Sequence, residues 1–313
     1  MAKWLVLAAI LLSGCSGDDA PNNADNNGND SDIRFNADVW QVMEGTRATT
    51  FGAGDVNNAF KVYAYYYNTT DCYINGEVVN YSGGVSSWAG TSQRWPNSRS
   101  LDFFAYMPTD LGYTYCTFDP TAYNESTNDD GYSAGTPRIV CANLPVSITY
   151  GTDNTQEMVM AYTANQSMAA QGASGVTMTF KRPFARIYFK LSDASGSAVS
   201  INSITISGIY NNGVCVMNGA AQTFAWTPSG STTNFTVSGS PATSESDCYL
   251  VIPQNYGTKT FTVNATWTDW SNVRKDVSAN VTVNWQAGYS YTYTFTLSKY
   301  ALKVDIEKFT EQW

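Results

Sequence analysis

A strict alternation of apolar and small polar residues constrains the fold of this chain more than any other feature. It is clearest in YSYTYTFTL, where an aromatic residue or leucine occupies every second position from Tyr289 to Leu297. Side chains of a β-strand point alternately to the two faces of a sheet, so this period of two predicts a half-buried strand. Similar alternation recurs at 176–180, 185–191, 261–267 and 302–306, and no stretch of useful length has the period of a helix. The chain is therefore predicted to be all-β, with antiparallel β-sandwiches.

The first half of the chain carries strand signals as well. Ile33, Phe35, Ala37 and Val39 alternate with polar residues, which predicts a first strand. Further strands are predicted at 60–67, 101–106 and 158–162, with Asn75-Gly76 as a hairpin turn.

A domain boundary is predicted near the middle of the chain. Residues 163–175 are small and polar and have no sustained strand signal. The chain then divides into an N-terminal β-sandwich at 33–165 and a C-terminal β-sandwich at 176–313.

The N-terminus has the features of a bacterial lipoprotein signal. Lys3 precedes the apolar run Trp4–Leu12, and two small residues then lead to Cys15. This order predicts a signal peptide at 1–14, cleavage before Cys15 and a diacylglycerol on its thiol. Residues 15–32 contain no aromatic and no branched aliphatic residue, so we expect a flexible tether that holds the protein at the outer membrane.

Composition excludes several classes of function. The chain has no histidine, which removes Ser-His-Asp catalysis and His-ligated metal sites. The net charge of −9 and the lack of a basic run argue against nucleic acid as a partner. We expect no enzymatic activity, no cofactor and no metal site. A glycosidase stays open, because the sequence cannot locate a catalytic pair among its 26 carboxylates.

Besides Cys15 the chain has five cysteines, an odd number that leaves at least one outside any intrachain disulfide. Their wide spacing does not fit a metal site, and most are expected to be small buried residues. The pairing stays open among Cys72, Cys116, Cys141, Cys215 and Cys248.

A set of strings in fixed order resembles the fimbrillins of Bacteroidetes type V pili. The set begins with the lipobox at Cys15 and extends towards Trp313. It includes FKVYAYY, WPNSRSLDFFAYMP, VTMTFKRPFARIYFKL, YLVIPQ and YSYTYTFTL. The resemblance implies a non-enzymatic pilus subunit or pilus-associated adhesin with two transthyretin-like domains. Its partners would be other pilus subunits, identical or related, and a host or bacterial surface ligand.

The resemblance also implies an assembly mechanism. An arginine-specific protease would cut between Arg47 and Ala48 and release the first strand, 33–46. Ile33, Phe35, Ala37 and Val39 line that strand, so its loss would open an apolar groove. The expected donor from a neighbouring subunit is the C-terminal segment, 301–313, with alternating apolar residues Leu302, Val304 and Ile306.

Several alternatives remain beside this interpretation. Arg47 is equally explained as a solvated residue of a linker, and residues 302–306 as the last strand of their own domain. A surface glycan-binding lipoprotein is the second candidate function, because exposed tryptophans could stack on sugars. The tryptophans in question are Trp88, Trp95, Trp267, Trp270 and Trp285, for which packing in cores and turns is the other interpretation. Stalk, tip and anchor roles are not distinguished by the sequence.

Overall fold

Nearly every element is a β-strand in the part of the chain that the computed structural model describes. The described residues are 31–38, 59–67, 69, 71–82, 85–107, 109, 116–119, 138–142, 158–171, 175–192, 199–218, 223–238, 249–267, 273–297 and 302–310. The strands of the first half are β1 (Phe35–Asp38), β2 (Ala59–Tyr66), β3 (Cys72–Ser82), β4 (Val85–Trp88), β5 (Leu101–Met107), β6 (Cys116–Asp119), β7 (Arg138–Cys141), β8 (Val159–Gln166) and β9 (Val176–Thr179), with a short helix α1 (Met168–Gln171) between the last two.

The second half continues the pattern with ten more strands. They are β10 (Ala185–Ser192), β11 (Val199–Ile209), β12 (Asn212–Asn218), β13 (Thr223–Ser229), β14 (Thr233–Ser238), β15 (Tyr249–Val251), β16 (Gln254–Trp267), β17 (Val273–Trp285), β18 (Tyr289–Leu297) and β19 (Leu302–Thr310). The long alternating stretch at 289–297 is one of them, as its period of two predicts.

The first sandwich is built on a five-stranded antiparallel sheet, ordered β4-β3-β2-β5-β8. One face of this sheet presents Phe60, Val62 and Phe103 to a buried apolar core. The small parallel pair of β1 and β9 covers that face and adds its own buried residues to the same core. The first strand therefore packs against the sheet as part of the second layer.

The second sandwich consists of two four-stranded sheets. Their strand orders are β15-β10-β18-β19 and β14-β11-β16-β17. Phe189 and Tyr293 of one sheet meet Phe261 of the other in a shared core. Strands β10 and β18 pair in parallel, an exception in a mostly antiparallel fold. In β11 a register shift after Ile201 lets Ile201 and Ile204 both be buried, although their spacing breaks the period of two.

A third four-stranded sheet joins the two halves of the chain. Its order is β13-β12-β7-β6, so strands of the second half pair with strands of the first. Cys215 and Met217 of β12 pack with Tyr63 and Phe104, which lie on the outer face of the five-stranded sheet. This sheet closes a core between the two sandwiches.

The domain boundary expected from the sequence does not match the division of residues between the cores. Residues Val176 and Met178 of β9, placed by the sequence at the start of the C-terminal domain, belong to the core of the first sandwich. In the small, polar stretch at 163–175, residues 163–166 are the end of β8 and helix α1 follows at Met168–Gln171, before β9 of the same core. Small polar residues mark a surface connection of any kind, so they do not distinguish a domain linker from a loop.

The predicted hairpin at Asn75-Gly76 is wrong. Strand β3 runs through both residues, and the register of its pairing with β2 shifts at this point. Gly76 has a φ of +72°, and a Cβ at this position would lie 2.9 Å from the Tyr63 hydroxyl oxygen. Glycine is needed for a bulge that packs under a tyrosine ring, a requirement that resembles that of a tight turn.

The all-β sandwich class predicted from the sequence is confirmed. Among the residues described, no helix has the length and apolar character needed to cross a membrane.

Candidate functional site

The first strand is deeply buried in the first sandwich. The side chains of Ile33 and Phe35 are each only 1% exposed, whereas those of Arg34 and Asn36, which alternate with them, face solvent. We call the surface that receives residues 31–38 the first-strand groove. Complete burial of a large apolar side chain contributes about 1.5–3 kcal/mol, so these two side chains hold the strand strongly in place.

An aromatic pocket receives the ring of Phe35. The ring centroid of Phe35 lies 5.5 Å from Phe60, 5.6 Å from Trp88 and 5.5 Å from Phe103. All three contacts are edge-on, with interplanar angles of 88°, 66° and 86°. Edge-to-face pairs add about 0.5–1.5 kcal/mol beyond area burial, so this pocket favours an aromatic occupant.

The main chain of residues 31–35 is bonded on both sides. On one side the Val176 amide donates to the Arg34 carbonyl oxygen at 2.7 Å, within the parallel ladder between β1 and β9. On the other side the Ile33 amide donates to the Gln93 carbonyl oxygen at 2.8 Å, and the Trp95 amide donates to the Ser31 carbonyl oxygen at 2.9 Å. Residues 31–38 are thus an inserted strand, held between two separate segments of the sandwich.

Two side chains on β4 bond to the main chain of the first strand. The Trp88 indole N–H donates to the Ile33 carbonyl oxygen at 2.9 Å. The Ser86 hydroxyl accepts a hydrogen bond from the Phe35 amide at 2.8 Å. Side-chain bonds to main-chain atoms depend on register but not on the identity of the bonded residue, so they fix where a strand stops along the groove.

Gly175 lets β9 approach the first strand closely. It has a φ of +78°, and a Cβ at this position would lie 3.0 Å from both the carbonyl carbon and the oxygen of Arg34. Both the conformation and the contact favour glycine.

The predicted first-strand residues are only partly covered by the described structure. Ile33 and Phe35 lie in the groove, and Ala37 stands opposite Met178 in the ladder. The remaining predicted site positions fall outside the described residues; they are Cys15, Val39, Arg47 and Ala48. Sequence reasoning missed Ser86 and Gly175, and it considered Trp88 as a sugar contact or as core packing but not as a residue that bonds to the first strand. No local pattern connects these residues with a strand more than 50 positions away.

The predicted donor strand is the last strand of its own sandwich. Strand β19 pairs antiparallel with β18 and occupies the edge of its sheet. Burial falls along the strand: Leu302 is buried, Val304 is partly buried and Ile306 is 40% exposed. An edge strand has an unpaired row of main-chain groups and is the type of element that can pair with another chain.

A lysine secures the far end of β19. The Lys308 ammonium lies 3.9 Å from the centroid of the Tyr289 ring and donates to the Gln286 side-chain oxygen at 2.6 Å. The neighbouring Tyr291 hydroxyl accepts a hydrogen bond from the Gln286 amide at 2.9 Å. Burial raises the pKa of Tyr291 to about 12, since the phenolate would lose its hydration there.

The cysteines and tryptophans that the sequence singled out are mostly structural where described. Among the described residues, Cys72 and Cys215 form no disulfide, and burial raises the pKa of Cys215 well above its usual value. Trp95 and Trp285 are buried in the two cores, and Trp88 lines the aromatic pocket. These three tryptophans therefore form no exposed sugar-stacking face. Within the described residues, no cluster of three or more His, Cys, Asp or Glu could hold a metal ion.

Comparison with solved structures identifies a similar fold in proteins from two Bacteroides species. A candidate cell adhesion protein from Bacteroides uniformis superposes with a TM-score of 0.52 at 15% identity, covering 90% of this chain and 99% of its own. A second, from Bacteroides ovatus, gives a TM-score of 0.52 at 14% identity, covering 88% and 96%. At such low identity these matches concern the fold alone. No curated protein matches the chain by sequence.

The family model for fimbrillin-like proteins matches residues 46–313, which include most of the chain and nearly all the strands described above. It starts after the first strand, so the groove lies within the match and its occupant, residues 31–38, lies before it. The resemblance found in the sequence is thereby confirmed, and the chain belongs to the fimbrillin-like family.

Proposed function

We propose that this protein is a subunit of a surface fimbrium, or an adhesin carried by one, and that it assembles by exchange of its first strand. The proposal includes export as a lipoprotein through Cys15 and cleavage between Arg47 and Ala48. Membership of the fimbrillin-like family supports the fimbrial role. The two related folds described as candidate cell adhesion proteins agree with a role at the cell surface.

The observation that carries the proposal is the position of the first strand. It is inserted between two segments and fills a core with Ile33 and Phe35, yet its only ladder among the described residues is the short pairing with β9. A strand of this kind can leave without breaking the five-stranded sheet beneath it. In the proposal, a cut after Arg47 severs the covalent connection between that strand and β2.

Loss of the strand leaves two kinds of unsatisfied surface. The aromatic pocket and the site of Ile33 become exposed, at a cost of about 1.5–3 kcal/mol for each large side chain. The main-chain groups at Gln93 and Val176 lose their hydrogen-bond partners. An incoming strand restores both, because strand addition supplies main-chain bonds and side chains together.

Strand β19 is the proposed donor. It lies at a sheet edge, and its apolar residues Leu302, Val304 and Ile306 alternate with Lys303, Asp305 and Glu307. Donation requires β19 to leave β18, and the decreasing burial towards Ile306 limits the apolar burial that is lost when it leaves.

The experiment is to determine the N-terminus and the oligomeric state of protein taken from the native outer membrane. Mass spectrometry and a gel of unboiled sample provide both. A chain that starts at Ala48 and runs as a heat-resistant ladder supports the proposal. A lipidated chain that starts at Cys15 and stays monomeric contradicts strand exchange and leaves an anchor or glycan-binding lipoprotein. Arg47→Lys is the matched control, because it keeps the positive charge but removes the site for an arginine-specific protease.

A further inference from the structure

We infer that the first-strand groove selects an incoming strand that has an aliphatic residue followed two positions later by an aromatic one and runs parallel to β9. The preferred donor is the strand that corresponds to β19 in a different kind of subunit, rather than β19 of a second copy of this chain. This inference rests on the proposed strand exchange and specifies its partner.

The aromatic requirement comes from the pocket around Phe35. Three rings, Phe60, Trp88 and Phe103, meet the Phe35 ring edge-on at 5.5–5.6 Å. A second contact between Phe60 and Phe180, at 5.4 Å, braces the wall of the pocket from behind. An aliphatic side chain in this place would lose the three edge-to-face contacts and leave part of the volume empty.

The spacing requirement comes from the two polar groups on β4. Trp88 donates to the carbonyl of Ile33, and Ser86 accepts from the amide of Phe35. These bonds place residues two apart at the aliphatic and aromatic sites, whatever the sequence between them. The parallel ladder with β9 fixes the direction of the strand. A strand shifted by one residue would put a solvent-facing side chain into the pocket, and a strand that entered in the opposite direction could not form the parallel ladder with β9.

The last strand of this chain does not satisfy the rule. Its apolar positions, Leu302, Val304 and Ile306, are all aliphatic. Phe309 is preceded two positions earlier by Glu307, and Trp313 by Glu311. Every register of 301–313 therefore places either an aliphatic or a polar residue in the aromatic pocket, or a charged residue at the site of Ile33. A second copy of this chain fills the groove less well than its own first strand does.

The test uses the full-length protein, cut after Arg47 while folded, and synthetic peptides that compete for the groove. The first set has the sequence of residues 31–38, with phenylalanine, leucine or alanine at the position of Phe35. The second set has the sequence of residues 301–310, with or without Ile306→Phe, which creates an aliphatic–aromatic pair with Val304. The dissociation constant of each peptide is measured by displacement of a labelled 31–38 peptide.

We expect the phenylalanine peptide to bind about tenfold or more tightly than the leucine peptide, since three edge-on contacts are lost. The Ile306→Phe peptide should bind about tenfold more tightly than the unchanged 301–310 peptide. Leucine and phenylalanine peptides of equal affinity would overturn the inference, as would an unchanged 301–310 peptide that equals the native strand. Either result leaves strand exchange itself intact.

If no peptide enters the groove, the proposed exchange is refuted. A measurement on the uncut chain then tests the aromatic pocket by itself. Phe35→Leu and Trp88→Leu are combined in a double-mutant cycle, read by denaturant unfolding. The aromatic pocket predicts that Phe35→Leu lowers the folding constant by about tenfold or more in the native background and by a smaller factor, about fivefold, beside Trp88→Leu, where two of the three ring contacts remain. Equal effects in both backgrounds would show that the pocket does not select an aromatic residue.

Discussion

The first and last strands of the chain, β1 and β19, follow the same sequence pattern and differ sharply in their surroundings. Both alternate apolar with polar residues. Ile33 and Phe35 are 1% exposed and are enclosed by β9 on one side and the 86–95 segment on the other. Ile306 is 40% exposed on an edge strand that pairs only with β18 among the described strands.

The difference teaches that alternation fixes which side chains share a face but not how deeply that face is buried. Depth depends on what lies beside and above the strand, which the rest of the fold supplies. In a strand-exchange subunit the two surroundings are complementary: one strand fills a groove, and the other is available at an edge. The predictions below separate the two, from the largest expected effect to the smallest.

Truncation of the buried aromatic should affect stability far more than truncation of the edge residue. Phe35→Ala is expected to cost about 3–5 kcal/mol, because it empties a closed pocket. Ile306→Ala is expected to cost less than about 1 kcal/mol, because the side chain is already partly in water. Urea unfolding of the full chain measures both. Similar losses for the two variants would contradict the difference in burial.

Gly175→Ala tests the close approach between β9 and the first strand. The change forces a methyl group to within 3.0 Å of the Arg34 carbonyl and strains a φ of +78°. Gly257→Ala is the control, because Gly257 has a φ of +64° with open space around its Cβ position. We expect the free energy of unfolding to fall by about 1 kcal/mol in the control, from backbone strain alone, and by about 2–3 kcal/mol in Gly175→Ala. If the two unfold at the same urea concentration, the close approach contributes nothing.

Trp88→Phe tests the side-chain bond that positions the first strand. It keeps an aromatic ring in the pocket but removes the N–H that donates to Ile33. Trp226→Phe removes a similar bond, to the Pro183 carbonyl at 2.6 Å, in another part of the molecule. Each change should cost about 0.5–1.5 kcal/mol. Amide hydrogen exchange distinguishes them: only Trp88→Phe should speed exchange at Phe35, and equal exchange rates there would refute the role assigned to Trp88.

Lys308→Ala tests how firmly the edge strand is held. Loss of the contact with the Tyr289 ring at 3.9 Å should cost about 0.5–1 kcal/mol and speed amide exchange along β19. Lys303→Ala is the matched control; its ammonium pairs with Asp305 at 2.9 Å, and both side chains are well exposed. That pair should contribute less than about 0.5 kcal/mol. A larger effect from Lys303 would place the attachment of β19 at its other end.

The sequence predicts the strands well because alternation is a local property, and Tyr289–Leu297 forms a strand as its period requires. The partner with which a strand pairs is not a local property. The parallel pairing that sets Tyr293 beside Phe189 leaves no trace in either strand. Glycine is ambiguous too, since Gly76 serves a bulge where a turn was expected. The groove combines both difficulties. The Ser86 hydroxyl lies 51 residues from the Phe35 amide that donates to it, and Gly175 has a positive φ without being part of a predicted turn.

The central claim is that the first strand can leave its groove and be replaced by a strand from another subunit. Native mass spectrometry of the full-length protein, cut after Arg47 with an arginine-specific protease, tests this most directly. The claim predicts that the N-terminal fragment separates from the rest of the chain and that oligomers appear once a donor subunit is added, while Arg47→Lys stays monomeric. A fragment that remains bound, on a cut chain that remains monomeric with every donor offered, would contradict it.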